Sequence, residues 1–256
     1  MKSTRVITTE GRIRKMIETM KWIRKPQNVT VENGKVYVST QPHTDLWQNT
    51  YYHFCNDNAP LFLMETDEQY FSFTVKTEFH SSHHRFDQCG IVIYQDSKNW
   101  LKASCEYEND QFSNLGSVVT NLGYSDWAVT EIPADHKTIW YRLSRRADDY
   151  RIEYSFDGST YHMMRIAHLW KGADTIQIGI YACSPEESSF TAVFSDLSMG
   201  KCMWQAHDGQ QPDEDGDVKP ITLDLNNYKE QYRFSSTPWI VSEMKGSANN
   251  VELTKL

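Results

Sequence analysis

The sequence predicts an all-β protein, a sandwich of two antiparallel sheets with a short N-terminal helix and a C-terminal extension. Apolar and polar residues alternate with a period of two in many short runs, as they do in strands that bury one face. Clusters of turn-forming residues separate these runs, and this spacing favours a sandwich or barrel over alternating strands and helices. Aromatic residues make up 13% of the chain, and their wide side chains favour strands.

The first elements in chain order are a helix and a hairpin. A helix is predicted over Glu10–Lys21, because four apolar residues recur there at i, i+3, i+4 and i+7 and form one stripe: Ile13, Met16, Ile17 and Met20. We expect this stripe to pack on the edge of the sandwich. From Val29 the period changes to two, and Asn33-Gly34 is typical of the tight turn of a β-hairpin.

The other strands are predicted where the alternation is clearest. They cover Phe71–Phe79, Cys89–Tyr94, Trp100–Tyr107, Ile139–Arg146, Tyr150–Phe156, Ile176–Ala182 and Phe190–Phe194. The apolar side of each run is predicted to form the core, with Tyr154 and Phe156 among the core residues. In the third run, Trp100, Lys102, Ser104 and Glu106 share the side that faces away from the apolar set.

The chain changes character after Trp204. Asp208–Lys219 is polar, acidic and contains Gly and Pro, which is typical of a linker. Ile221–Leu256 is only sparsely apolar. We therefore expect a sandwich domain over residues 1–204 and an extension over residues 205–256. The extension is expected to dock on the sandwich through its aromatic residues Tyr228, Tyr232, Phe234 and Trp239.

Charge and cysteine content narrow the function classes. The formal net charge is −8, which repels phosphate backbones and argues against nucleic acid as a partner. No apolar run approaches the ~18 residues of a membrane span, and charged residues interrupt the N-terminal stretch where a secretory signal would lie, so we expect a cytoplasmic protein. The chain has five cysteines, an odd number without C-x-x-C spacing, and we expect all of them as reduced thiols.

Several segments, taken in chain order, resemble one family. They are Phe86–Ile91, Asn99–Lys102, Gly116–Asn121, Gly123–Trp127, Trp140–Leu143 and Glu153–Gly158, with Thr44–Gln48 before them and Gly179–Pro185 after them. Together they resemble the concanavalin A-like family known as regulation of enolase protein, over roughly residues 20–199. The resemblance implies a concanavalin A-like jelly-roll sandwich with a concave face, which related lectins and glucanases use for sugars. It also implies a role in controlling a glycolytic enzyme.

Polar side chains at alternating strand positions form the first candidate site. They point away from the apolar set and include Gln88, Lys102, Glu106, Arg142, Glu153 and Tyr181. If they meet on the concave face, they form a polar floor that offers hydrogen bonds to sugar hydroxyls. The alternative is an ordinary solvated face, which every antiparallel sheet of this kind carries.

Aromatic residues supply candidate walls for this site. Gly123–Trp127 is interpreted as a turn-rich stretch whose Trp127, with Trp47 and Trp100 as companions, lines the mouth of the groove or plugs the rim of the sandwich. Lys102 and Glu106 are expected to hold each other across the face that they share. The complete candidate ligand site is Gln88, Lys102, Glu106, Trp127, Asp126, Arg142, Tyr181 and Trp47.

Catalytic and metal sites have weaker support. Glu106 and Glu108 share a side of one strand, but the paired-carboxylate motif common in glucanases of this fold is absent. The histidines within His80–His84 suggest a metal cluster, but its partner ligands are unspecified, and a polar loop simply tolerates histidine. Asp213, Asp215 and Asp217 resemble the start of a calcium loop whose later ligands are missing. No cofactor is expected.

Two functional hypotheses remain open at this level. One is a module that binds a carbohydrate or another small molecule. The other is a regulator that contacts a glycolytic enzyme. A glycan-active enzyme on the same fold is the third alternative.

Overall fold

The computed structural model describes residues 13 and 16–205, together with the backbone of two further strands at 239–243 and 252–255. The chain divides into two compact units, Met1–Gln205 and Ala206–Leu256. The predicted acidic linker, its calcium-like aspartates and the tail aromatics Tyr228, Tyr232 and Phe234 lie outside the described residues. Within the described part of the chain, no helix is long and apolar enough to cross a membrane.

Eighteen strands make up nearly all of the regular secondary structure in the described part of the chain. In chain order they are β1 (Lys21–Ile23), β2 (Val29–Glu32), β3 (Lys35–Ser39), β4 (Leu46–Gln48), β5 (Cys55–Asp57), β6 (Leu61–Thr66), β7 (Tyr70–Glu78), β8 (Gln88–Asp96), β9 (Asn99–Tyr107), β10 (Phe112–Asn121), β11 (Tyr124–Pro133), β12 (Thr138–Arg146), β13 (Asp149–Ser155), β14 (His162–His168), β15 (Ile176–Cys183), β16 (Thr191–Gly200), β17 (Trp239–Glu243) and β18 (Glu252–Lys255).

Two seven-stranded antiparallel sheets form the sandwich. The first sheet has the order β1-β6-β15-β8-β9-β10-β11, and the second has the order β14-β13-β12-β7-β16-β3-β2. Two small pairs, β4-β5 and β17-β18, complete the described strands. The predicted fold class, an all-β sandwich of two antiparallel sheets with a short N-terminal helix, is confirmed.

The N-terminal helix and hairpin are both present as predicted, but the helix does not end where it was predicted to end. Asn33 and Gly34 adopt φ values of 50° and 73°, as expected for the tight turn that joins β2 to β3. Helical residues are described at 13 and 16–19. The helix prediction was wrong at its C-terminal end, because Lys21 already belongs to β1 and pairs with Leu63.

The main core lies between the two sheets and contains nearly all of the predicted core residues. Ile91, Leu101 and Tyr141 are fully buried there. Phe156 was predicted to be in the core but is 37% exposed. It follows the last residue of β13, so the strand no longer turns it inward, and its ring stacks on His136 at 4.3 Å.

The outer face of the first sheet is covered rather than solvated. A second apolar cluster includes Leu46 and Trp47 from the β4 segment and Trp100 and Val118 from the sheet. Lys102 and Glu106, on the same side of β9 as Trp100, are therefore buried as well. A polar face that is buried in this way must have its groups hydrogen-bonded, paired or turned towards a cavity.

Candidate functional site

A pocket of about 250 Å³ opens through the cover over the outer face of the first sheet. Its floor comes from the central strands β8 and β9, which contribute Gln88, Lys102 and Glu106. Asp45 and Glu186 add carboxylates from the connections around the sheet. The pocket therefore joins the buried polar side of β9 to solvent.

Lys102 is held at the centre of the floor by two oxygen acceptors. Its Nζ lies 2.9 Å from Gln88 Oε1 and 3.5 Å from Asp45 Oδ1. Gln88 Oε1 also accepts hydrogen bonds from Tyr181 OH at 2.9 Å and Ser104 Oγ at 3.4 Å. These contacts fix the ammonium group in one place without a ligand.

The expected ion pair between Lys102 and Glu106 is wrong. The two residues are four positions apart on β9, and at about 3.3 Å per residue their Cα atoms are separated by roughly 13 Å. Asp45, which reaches the floor from the segment before β4, takes the place of Glu106 as the ion-pair partner of Lys102.

Burial and neighbouring charges shift the pKa values of both floor residues. Burial raises the pKa of Glu106 to about 7, against the attraction of Lys102 and with added repulsion from Asp45 and Glu108. Burial alone would lower the pKa of Lys102, but the negative charges of Asp45 and Glu106 help to outweigh it, and the pKa is raised. At neutral pH the floor therefore presents a charged ammonium and, farther along β9, a carboxyl that is partly protonated.

Aromatic rings form the walls of the pocket. They belong to Trp47, Tyr52, Phe54, Phe86 and Trp127. The rings of Trp47 and Tyr52 meet edge to face at 5.5 Å, and Trp47 Nε1 donates to the carbonyl of Thr50 at 3.1 Å. The indole N–H of Trp127 is buried and has no hydrogen-bond partner among the described residues.

Trp127 lies on a strand, so the interpretation of Gly123–Trp127 as a turn-rich stretch was wrong. Only Leu122 and Gly123 make the turn, with φ values of 53° and 84°. Tyr124 then begins β11, which pairs with β10 along its whole length. The pairing places Trp127 opposite Val118, and both side chains line the pocket.

The structure brings together five of the predicted site residues and separates the other three from the pocket lining. Gln88, Lys102, Glu106, Trp47 and Trp127 line one concavity. Tyr181 is fully buried behind the floor, where its hydroxyl donates to Gln88.

Arg142 and Asp126 lie elsewhere, and placing them in the same site was wrong. Arg142 belongs to β12 of the second sheet, where its Nε donates to Glu153 Oε2 at 2.7 Å. Asp126 is on the opposite side of β11 from Trp127 and pairs with Arg165 at 2.6 Å. Strand alternation indicates the side of a strand on which a residue lies, but not which sheet the strand joins.

Several pocket residues were missed by sequence reasoning. Asp45, Phe86 and Pro185 lie inside the segments that carry the family resemblance, and that position was the available signal. Tyr52 and Phe54 lie between β4 and β5 in a segment without periodicity. No pattern in the sequence predicts that this hairpin folds over the first sheet.

The histidine-rich loop does not assemble a metal centre. His83 Nδ1 lies 3.0 Å from the carbonyl oxygen of Ser81, and His84 Nδ1 lies 3.3 Å from Glu186 Oε2. Across the part of the chain that the structure describes, no group of three His, Cys, Asp or Glu side chains is arranged to hold a metal ion.

Comparisons with known proteins relate most of the sandwich to one family. Regulation of enolase protein 1 of Saccharomyces cerevisiae is 33% identical over 179 residues, which cover 70% of this chain and 87% of that protein. A crystal structure of a functionally unknown protein from the same yeast is 30% identical, with a TM-score of 0.68, and covers 73% of this chain and 99% of the other.

A more distant structure shows the same fold. The GH43 protein BlXynB of Bacillus licheniformis is 18% identical with a TM-score of 0.56, and the match covers 73% of this chain and 37% of that chain. At this identity the likeness concerns the fold alone. The family model described as "Protein of unknown function (DUF1349)" matches residues 22–202. The chain therefore belongs to the DUF1349 family.

Proposed function

We propose that this protein binds a carbohydrate in the pocket on the outer face of the first sheet. The observation that carries the proposal is the convergence of aromatic walls and a polar floor in one open concavity of about 250 Å³. Sugar rings present apolar faces that stack on aromatic rings and hydroxyls that need donors and acceptors. The pocket offers both at once.

The polar groups of the floor are better suited to bind the hydroxyl groups of a ligand than to bind a strongly charged ligand group. Lys102 Nζ donates, and its charge is already balanced by Asp45. The carboxyl group of Glu106 accepts hydrogen bonds when it is ionised and can also donate one when it is protonated. The buried indole N–H of Trp127 lacks an acceptor, and a ligand hydroxyl would supply one.

The arrangement favours binding over glycoside hydrolysis. Hydrolysis needs a second working carboxylate near the first. Glu108, the sequence neighbour suited to that role, is engaged: Arg85 Nε lies 2.9 Å from its Oε1, and Asn114 Nδ2 donates to its Oε2 at 3.2 Å. Asp45 is held by Lys102.

A glycan array probed with the whole protein tests the proposal. We expect retention on at least one neutral glycan, and we expect Trp127→Ala to lower it tenfold or more because the stacking ring and the indole donor are lost. Phe54→Ala, at the exposed rim, should lower retention with little change in melting temperature. Trp170→Ala is the matched control, because this ring is 71% exposed and lies outside the pocket.

Equal retention of the wild type and of Trp127→Ala would contradict the proposal, and so would a wild type that retains no glycan. Lys102→Ala is a poor test because it leaves Asp45 without its ion-pair partner in a buried place. A circular dichroism melt should accompany each variant.

Regulation of a glycolytic enzyme is the second candidate function, favoured by the 33% identical relative named Regulation of enolase protein 1. The test is a pull-down of purified enolase with the wild-type chain, repeated with Trp127→Ala and Trp170→Ala. If Trp127→Ala fails to capture enolase while Trp170→Ala still captures it, the pocket is part of the surface that contacts the enzyme. Absence of capture by the wild type would contradict this candidate. A cytoplasmic location is part of this proposal, and the free thiols of Cys55, Cys89, Cys105 and Cys183 support it.

A further inference from the structure

The loop between β4 and β5 carries aromatic rings from the inside of the pocket to the protein surface. We infer that this loop provides a second sugar subsite centred on Tyr51, so that the ligand is the end of a neutral oligosaccharide rather than a single sugar. The inference rests on the proposed function, because the pocket supplies the inner subsite.

Tyr51 extends the row of rings beyond the pocket lining. Its ring meets the ring of Tyr52 at 4.9 Å, and Tyr52 in turn contacts the rings of Trp47 and Phe54 at 5.5 Å and 5.9 Å. Trp47, Tyr52 and Phe54 line the pocket, whereas Tyr51 lies next to it and is 80% exposed. An exposed ring beside a sugar-sized pocket is a stacking surface for the next sugar residue.

The backbone of the loop is strained where it presents this ring. Asn49, Tyr51 and His53 all adopt left-handed conformations, with φ values of 54°, 62° and 57°. Asn and His are enriched in this region, but a bulky Tyr rarely occupies it. Backbone strain of this kind persists where surrounding structure enforces it, and it concentrates at ligand sites.

Hydrogen bonds hold the strained loop in place. The backbone N–H of Asn49 donates to the carbonyl of Phe54 at 2.9 Å, and that of His53 donates to the carbonyl of Asn49 at 2.8 Å. Asn49 Nδ2 also donates to the carbonyl of Gly123 at 2.8 Å, which ties the loop to the turn before β11. Tyr51 is thus presented on a fixed support, which lowers the entropy cost of ligand binding.

The charges of the pocket indicate a neutral ligand. Lys102 is balanced by Asp45, and Glu106 and Glu186 add negative charge to the lining. This excess of carboxylates disfavours phosphorylated or acidic sugars. Neutral hexoses and pentoses in a chain remain the best match.

Calorimetric titrations with matched sugar pairs test the inference. The probes are glucose with cellobiose and xylose with xylobiose. We expect at least one disaccharide to bind the wild type tenfold or more tightly than its monosaccharide. Tyr51→Ala should abolish the tighter binding of the disaccharide and leave the Kd for the monosaccharide within twofold of the wild-type value. Tyr124→Ala is the matched control, a 67% exposed tyrosine on the opposite side of β11 from Trp127.

The outcomes separate this inference from the proposed function. If Trp127→Ala lowers the affinity for both sugars of a pair while Tyr51→Ala changes neither affinity, sugar binding in the pocket is supported and the second subsite is wrong. Equal affinity of the wild type for both sugars also overturns the subsite. If the wild type binds none of the four probes, both are overturned for these sugars. Tyr51→Gly relieves the left-handed strain, so it should lose the disaccharide gain without a lower melting temperature.

Discussion

At the residue scale, Glu106 is the group of the site whose buried charge has the least compensation. It is only 5% exposed, on the polar side of β9, and no lysine or arginine lies within 4 Å of its carboxylate among the described residues. Burial raises its pKa to about 7 from the ordinary value of 4.5. The folded protein therefore holds this proton in a pH range where the unfolded chain releases it.

This shift predicts a pH-dependent stability difference between the wild type and Glu106→Gln. Because the native pKa is raised, the stability contributed by protonated Glu106 is complete below about pH 4.5 and is lost as the pH rises through about 7. Glutamine removes the cost of burying a charge. Urea titrations should show similar unfolding free energies near pH 4.5 and a gain for Glu106→Gln at pH 8 on the order of 3 kcal/mol or less.

Glu131→Gln is the control for that experiment, because Glu131 is exposed on β11 and should leave the pH profile unchanged. A constant difference between Glu106→Gln and the wild type from pH 4.5 to 8 would contradict a raised native pKa.

At the element scale, the central strands of the first sheet approach too closely for a side chain at Gly90. A Cβ atom there would lie 1.8 Å from the carbonyl oxygen of Ala103 on β9. Gly90 pairs with Ser104 on one side and Tyr181 on the other, directly beside the floor of the pocket. A side chain at Gly90 would therefore push against the backbone of β9.

We predict that Gly90→Ala destabilises the protein by more than about 2 kcal/mol, because backbone rather than a flexible side chain must move. Gly200→Ala is the matched control, since nothing lies within 4 Å of a Cβ built at that position near the end of β16. Its effect should be about 0.5 kcal/mol or less. Equal denaturation midpoints of the two variants would contradict this prediction, because they would mean that β8 and β9 move apart at little cost.

Elements differ in how well the sequence predicts them. β7 and β9 show clear alternation because one side of each enters the main core. β10 was not predicted as a strand, because both of its sides are buried and its Ser117–Thr120 stretch lacks a polar side. β11 was missed for a different reason: it is a mostly exposed edge strand, and its apolar residues fall on both of its sides, so they do not alternate with polar ones.

At the scale of the whole molecule, both hydrophobic clusters and the pocket belong to the unit Met1–Gln205. We therefore predict that a chain of residues 1–205 folds cooperatively and keeps the glycan affinity of the full chain within about threefold. Calorimetric melting and titration of both chains check this. A truncated chain that does not unfold cooperatively, or that loses binding, would assign an essential role to Ala206–Leu256.

The sequence by itself determined the fold class, the β2-β3 turn and most core positions of the sandwich. These features depend on local periodicity and turn chemistry, which neighbouring residues carry. It also indicated the polar side of β9, because Lys102 and Glu106 alternate with core residues.

Only the tertiary structure decided which residues share a site. Alternation could not reveal that Arg142 belongs to the second sheet, or that Asp45 rather than Glu106 pairs with Lys102. It also could not show that the β4-β5 hairpin covers the outer face, so that a polar strand side becomes the floor of a pocket. The physical reason is that strand order, sheet membership and loop placement depend on contacts between distant segments, and no period within one strand encodes them.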